Sequence, residues 1–211
     1  MLKDRKRTDK IRKILRTTYP EVKTQLDFQN PFQLLVATIL SAQCTDKQVN
    51  RVTRTLFKKL PTPEAFAEAP ITRIEELIHS TGFFRNKAKN IQNCAAALLK
   101  QHQGKVPGKL EALVKLPGVG RKTANVVLGA AFNTPGIVVD THVSRISQRL
   151  ELTDHKDPVK IELDLMEQMP KRAWNDFSLH LIYFGRETCS ARKPRCGQCP
   201  MERLCNYQEK N

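Results

Sequence analysis

The sequence predicts an all-α fold of about ten helices joined by short connections. Three observations carry that expectation. Polar residues followed by proline punctuate the chain where helices begin, at Asn30-Pro31, Thr62-Pro63 and Asp157-Pro158. The polar side chain caps the helix, and proline at the first helical position lacks only an N–H that has no partner there. Apolar residues also recur at helical spacing: Val49, Val52 and Leu56 share one face, as do Ile91, Cys94, Ala95 and Leu98. Finally, only "GIVVD", residues 136 to 140, reads as strand, and it is too short to found a sheet.

Taken in order, the basic N-terminus "MLKDRKRTDKIRKILR" makes a helix with one charged face. Asn30-Pro31 opens "FQLLVATILSA", Thr45 opens "DKQVNRVTRTLFKKL", and Thr62-Pro63 opens "EAFAEA". In "KLEALVKLPGVGRKTANVVLGAAF" a short helix runs to Pro117, the chain turns through Gly118-Val119-Gly120, and a second helix starts near Arg121. Asp140 opens the next helix and Asp157-Pro158 opens "VKIELDLMEQM". Cys44 and Cys94 stand alone in apolar helical segments and are expected to serve packing.

Charge divides the chain more sharply than its total of +15 implies. Between Leu77 and Val139 the only acid is Glu111, against nine bases: Arg85, Lys87, Lys89, Lys100, Lys105, Lys109, Lys115, Arg121 and Lys122. The segment from Glu151 to Glu187 is instead rich in acids, which points to a second subdomain with its border near "NTPG", residues 133 to 136. Segregated positive charge fits a polyanionic partner, because neutralised phosphates release condensed counterions. No apolar run approaches the roughly 20 residues of a membrane span, and no secretion signal is evident. A soluble, cytoplasmic protein is expected.

The glycine hairpin "LPGVGRKTA" is the first constellation with chemical content. Glycines allow positive φ and close approach of the backbone to another molecule. The turn and the following helix N-terminus aim N–H groups at one point, an anion site that reads no base sequence. Lys122, in the first turn beside Arg121, sits where a neighbouring cation and the helix macrodipole favour the free amine, the form that attacks carbon. Asp140 in "VVDTHVSRI" is placed as an N-cap. N-terminal donors also keep a carboxylate ionised, and an ionised carboxylate stabilises a developing sugar cation. His142 reads as a hydrogen-bonded core histidine.

Four of six cysteines crowd into "CSARKPRCGQCPMERLC": Cys189, Cys196, Cys199 and Cys205, spaced C-x6-C-x2-C-x5-C. Clustered thiols in a cytosolic chain argue for a metal site over disulfides. Four thiolates suit zinc, and they equally suit an iron–sulfur cluster; spacing leaves both open. Arg192, Lys193, Arg195 and Arg203 lie among them and make the same loop a phosphate-facing surface.

With the hairpin, Asp140 and the cysteine spacing in this order, the chain resembles the endonuclease III family over nearly its whole length. These are bifunctional DNA glycosylases and AP lyases of the helix-hairpin-helix superfamily. The resemblance implies the helix-hairpin-helix DNA glycosylase fold. Residues 23–134 would form a six-helix barrel domain with the hairpin at about 109–132, and residues 1–22 with 135–211 an iron–sulfur cluster domain. It places Lys122 on the nucleophile, Asp140 on the catalytic aspartate, and Cys189, Cys196, Cys199 and Cys205 on the ligands of a 4Fe–4S cluster. Gly118, Val119, Gly120 and Arg121 fall on the DNA-contacting hairpin. Gln43 in "SAQCTD" matches a residue that fills the hole left by a flipped base. Phe83 in "TGFFRNKA" falls where an apolar wedge, commonly leucine, enters from the other strand. The implied reaction is base excision repair on double-stranded DNA carrying an oxidised pyrimidine of the thymine glycol type or an abasic site. It is expected of a monomeric bacterial protein held at the nucleoid by DNA, with no membrane partner. Two alternatives stand beside it: a monofunctional adenine or mismatch glycosylase of the same superfamily, which lacks lysine at this position, and a non-catalytic DNA-binding iron–sulfur protein.

Overall fold

The computed structural model describes residues 5–207; residues 1–4 of the expected N-terminal helix and of the expected cluster domain, and residues 208–211 of that domain, lie outside the described residues. Eleven α-helices and no strand occur among the described residues. The chain partitions into two compact units, Gln25–Thr134 and the residues flanking it on either side, up to Thr24 and from Pro135.

The flanked unit contains α2 (Pro31–Leu40), α3 (Asp46–Lys59), α4 (Pro63–Glu68), α5 (Ile71–Ile78), α6 (Phe84–His102), α7 (Leu110–Leu113) and α8 (Arg121–Phe132), and it follows α1 (Arg5–Thr18) in the chain. Helix α2 is the centre: every residue from Phe32 to Leu40 is buried, as expected of a helix that is apolar on all faces. Around it pack Val49, Val52 and Leu56 of α3, Phe66 of α4, Ile74 and Ile78 of α5, Ile91, Ala95 and Leu98 of α6, and Ala124 and Val127 of α8. The rings of Phe32 and Phe66 meet edge-on with centroids 5.4 Å apart.

The other unit joins α1 to α9 (Thr141–Arg149), α10 (Pro158–Gln168) and α11 (Trp174–Glu187), followed by the cysteine loop. Ile11 and Leu15 of α1 share a core with Val143, Ile146, Ile161, Leu165, Phe177, Leu181 and Phe184. Helices α9 and α11 approach closely at Gly185, where an added Cβ would lie 2.8 Å from both His142 Nδ1 and Ile146 Cδ1.

The capping pattern explains why the helices start where they do. Asn30, Thr45, Thr62, Asp140 and Asp157 each accept a hydrogen bond from the N–H three residues on, at 2.9, 3.3, 3.3, 2.8 and 2.9 Å. Two expectations are corrected. "GIVVD" is irregular and pairs with no strand among the described residues; the N–H of Gly136 goes to Asn175 Oδ1 and that of Val138 to Ser178 Oγ, both at 2.9 Å. Side chains of α11 satisfy the backbone there in place of a ladder. Cys44 lies in the turn between α2 and α3, outside either helix.

Candidate functional site

The hairpin is built by α7 and α8. Gly118 has φ +74°, and a Cβ there would meet Asn90 Cβ of α6 at 2.7 Å, so both conformation and packing require glycine. Gly120 is different. Its φ is an ordinary −86°, and a Cβ on it would have no neighbour within 4 Å. Its bareness leaves the N-terminus of α8 open, at a helix end where the first-turn N–H groups have no intrahelical acceptor. Lys122 and Arg121 are exposed beside it. Val119 turns its side chain into the core, where it is only 5% exposed, and its N–H donates to the Leu116 carbonyl at 3.1 Å, which anchors the turn.

Gln43 and Phe83 share an unusual backbone. Both are non-glycine residues with left-handed φ, 52° and 48°, a conformation that costs on the order of 1–3 kcal/mol and that surrounding structure must enforce. Gln43 is exposed in the turn leaving α2. Phe83 is 63% exposed, while the adjacent Phe84 packs on His79 at 4.4 Å between ring centroids. An exposed phenylalanine in a strained turn is no core aromatic.

In the other unit, Asp140 caps α9 through Oδ1, which accepts from Val143 N at 2.8 Å, and is half-buried. His142 Nδ1 lies 3.2 Å from Arg145 Nη2. Burial pushes His142 below its ordinary pKa, in keeping with a core role.

Cys189, Cys196, Cys199 and Cys205 line one cavity together with Arg149, Phe184, Thr188, Pro194 and Tyr207. Four thiols lining one cavity can hold a single tetrahedral ion or a polynuclear iron–sulfur centre. Burial, and then the three neighbouring thiols, raise the Cys199 pKa. Deprotonating such a set requires a compensating cationic centre, which iron supplies. The donor set therefore fits an iron–sulfur cluster.

Three arginines hold this loop in place, and the sequence reading missed all of them. Arg149 donates to Cys189 Sγ at 3.3 Å and to the carbonyls of Ser190 and Ala191, both at 2.8 Å. Arg145 reaches the carbonyls of Gly185 and Cys189 at 3.1 and 2.8 Å. Arg7, from α1, donates to Leu150 O and Leu204 O, both at 2.6 Å. The available signal was the four-residue spacing of Arg145 and Arg149, which puts both on one face of α9. Arg192, Lys193, Arg195 and Arg203 are all exposed.

Comparison with known proteins follows the same division. Residues 36–171 match the HhH-GPD superfamily of base excision DNA repair proteins, and residues 189–205 match the iron–sulfur binding domain of endonuclease III. Endonuclease III of Synechocystis sp. is 54% identical over 97% of this chain and 94% of its own length. That of Bacillus subtilis is 48% identical over 91% of this chain and 88% of its own. A solved structure of a trapped endonuclease III–DNA covalent intermediate superposes with a TM-score of 0.94 at 42% identity, covering 98% of this chain and 97% of that one. The chain thus belongs to the endonuclease III family, the 4Fe–4S base excision repair enzymes that act as DNA glycosylases and AP lyases within the helix-hairpin-helix superfamily.

Proposed function

We propose that this glycosylase and lyase removes oxidised pyrimidines of the thymine glycol type from double-stranded DNA through a Schiff base on Lys122. The observation that carries the reading is an exposed lysine in the first turn of α8, directly after the uncovered Gly120. A phosphate held by the hairpin N–H groups would place the adjacent sugar within reach of that amine.

The Lys122 amine attacks C1′ of the damaged nucleotide, and the glycosidic bond breaks with its electron pair leaving on the base. Asp140, its carboxylate fixed by the bond from Val143 N, stabilises the positive charge that develops on the sugar. The amine nitrogen then loses a proton and the C1′–O4′ bond opens, O4′ taking a proton, to give the Schiff base, from which loss of a C2′ proton expels the 3′ phosphate by β-elimination. Gln43 and Phe83 fill the space left by the extruded nucleotide and offset its lost stacking. Cys189, Cys196, Cys199 and Cys205 would hold the cluster, which would link their loop into one rigid piece. Arg192, Lys193, Arg195 and Arg203 in that loop bind phosphates, and Arg7, Arg145 and Arg149 hold its backbone. The unit Gln25–Thr134 serves as the barrel domain and the flanking residues as the cluster domain. The protein acts as a monomer in the bacterial cytoplasm; among the described residues no helix is long and apolar enough to cross a membrane.

Borohydride trapping on duplex DNA with one thymine glycol tests the reading. A covalent adduct is expected with the native protein and none with Lys122→Ala. An adduct that persists in the variant, or cluster-loaded protein that traps only other lesions, overturns it.

A further inference from the structure

Lys87 stands in the basic stretch that the sequence assigns to a polyanion-facing surface, yet its side chain is only 4% exposed. The ammonium instead donates inward, to the carbonyl of Leu40 at 2.9 Å and that of Thr81 at 2.8 Å. Neither acceptor is a carboxylate, and burial lowers the lysine pKa from its ordinary value. A buried cation without an acid partner is costly to keep. What offsets the cost is the position of the acceptors. Leu40 is the last residue of α2 and Thr81 the last of the 3₁₀ turn His79–Thr81. Both are C-terminal carbonyls, where orphan acceptors and the negative end of a helix favour a cation.

The two tethered points lie just ahead of the two strained turns. Leu40 precedes Gln43 by three residues and Thr81 precedes Phe83 by two. A second tie runs alongside: Gln48 Nε2, from the first turn of α3, donates to Ser80 Oγ at 2.7 Å and to Ser80 O at 3.3 Å. The left-handed residues at 43 and 83 are thus bracketed by polar bonds that join their loops to each other. An apolar side chain at position 87 would fill the same volume, but it would leave both carbonyls unpaired and the spacing of the turns unfixed.

We propose that Lys87 is a positioning residue for the repair reaction: by bridging Leu40 and Thr81 it holds the Gln43 and Phe83 turns at the spacing needed to enter the duplex together. The inference rests on the DNA-filling roles proposed above for Gln43 and Phe83. A fixed spacing lowers the entropy lost when both side chains occupy the stack. It matters most when an intact damaged base must be extruded, and least at an abasic site, where no base has to leave.

The test is a single-turnover comparison of two duplexes, one with a paired thymine glycol and one with a preformed abasic site, using cluster-loaded protein. Lys87→Met is expected to slow reaction at thymine glycol by about tenfold or more while slowing strand cleavage at the abasic site by less than about threefold. Lys87→Arg, which restores donors and charge, is expected to recover part of the difference. 2-Aminopurine placed next to the lesion should report a smaller unstacked population with Lys87→Met than with the native protein. If Lys87→Met does not fold, Lys87→Gln carries the same comparison, since it removes the charge and shortens the reach to both carbonyls. Equal slowing on both duplexes, or none, overturns the positioning role. Gln43→Ala and Phe83→Ala run in parallel separate the two failures. If they change the thymine glycol reaction and the Lys87 variants do not, this inference fails alone; if none of them does, the filling roles fail first.

Discussion

Two glycines separated by one residue have opposite duties. Gly118 is constrained from both sides, by φ +74° and by Asn90 at 2.7 Å from a would-be Cβ, so Gly118→Ala should destabilise the fold by about 1–3 kcal/mol. Denaturant unfolding would show it as a lowered midpoint with an unchanged slope. Gly120 has an ordinary φ and open space around it. Gly120→Ala should leave stability within about 0.5 kcal/mol of the native value and weaken DNA binding, because its methyl stands where a phosphate must approach. A stability loss at Gly120 matching that at Gly118 would mean the opening is structural. Lys122 was legible because glycine, turn and cation are adjacent in the chain. Lys87 was misread for the same reason that it matters: a count of charges along a chain does not say which of them point inward.

At the scale of single helices, starts were readable where a side chain does the capping and at the glycine turn ahead of α8, and were not marked at several others. The five capping residues from Asn30 to Asp157 all bond as their residue types require. By contrast α5 follows Pro70, α6 follows left-handed Phe83 and α11 follows Ala173, none with a side-chain cap. Packing decides those ends. Helix α11 also carries a testable pH dependence. Burial lowers the pKa of His180, whose Nε2 lies 3.0 Å from the Tyr19 carbonyl, and burial likewise lowers that of His142. With folded-state values below the ordinary 6.5, the unfolded chain takes up protons first as pH falls. Stability is then fully present above that value and is lost as pH drops toward the folded-state values. Chemical unfolding at neutral and mildly acid pH should show the decline, and His180→Gln should reduce it. An unchanged pH dependence in that variant would assign the effect elsewhere.

For the whole molecule, the excess of positive charge is a statement about binding rather than folding. Affinity for duplex DNA should fall steeply with salt, each neutralised phosphate contributing about −0.9 to the log–log slope. Fluorescence anisotropy across a salt series checks this. Replacing Arg192 and Arg195 together by Ala should reduce the slope by about 2 if both face phosphates; an unchanged slope would remove the cysteine loop from the binding surface.

The sequence by itself determined the helical class, the capped helix starts, the glycine turn ahead of Lys122, the aspartate cap and the four thiols. Each of these is written in residues a few positions apart, where local sterics and hydrogen bonding act. Tertiary structure decided what depends on residues far apart in the chain. It turned Lys87 inward to Leu40 and Thr81, brought Arg7 to Leu150 and Leu204, buried Val119 and exposed Phe83. It also brought Cys189, Cys196, Cys199 and Cys205 to the wall of one cavity. Those outcomes follow from which faces the packed helices leave for one another, and local pattern carries no record of them.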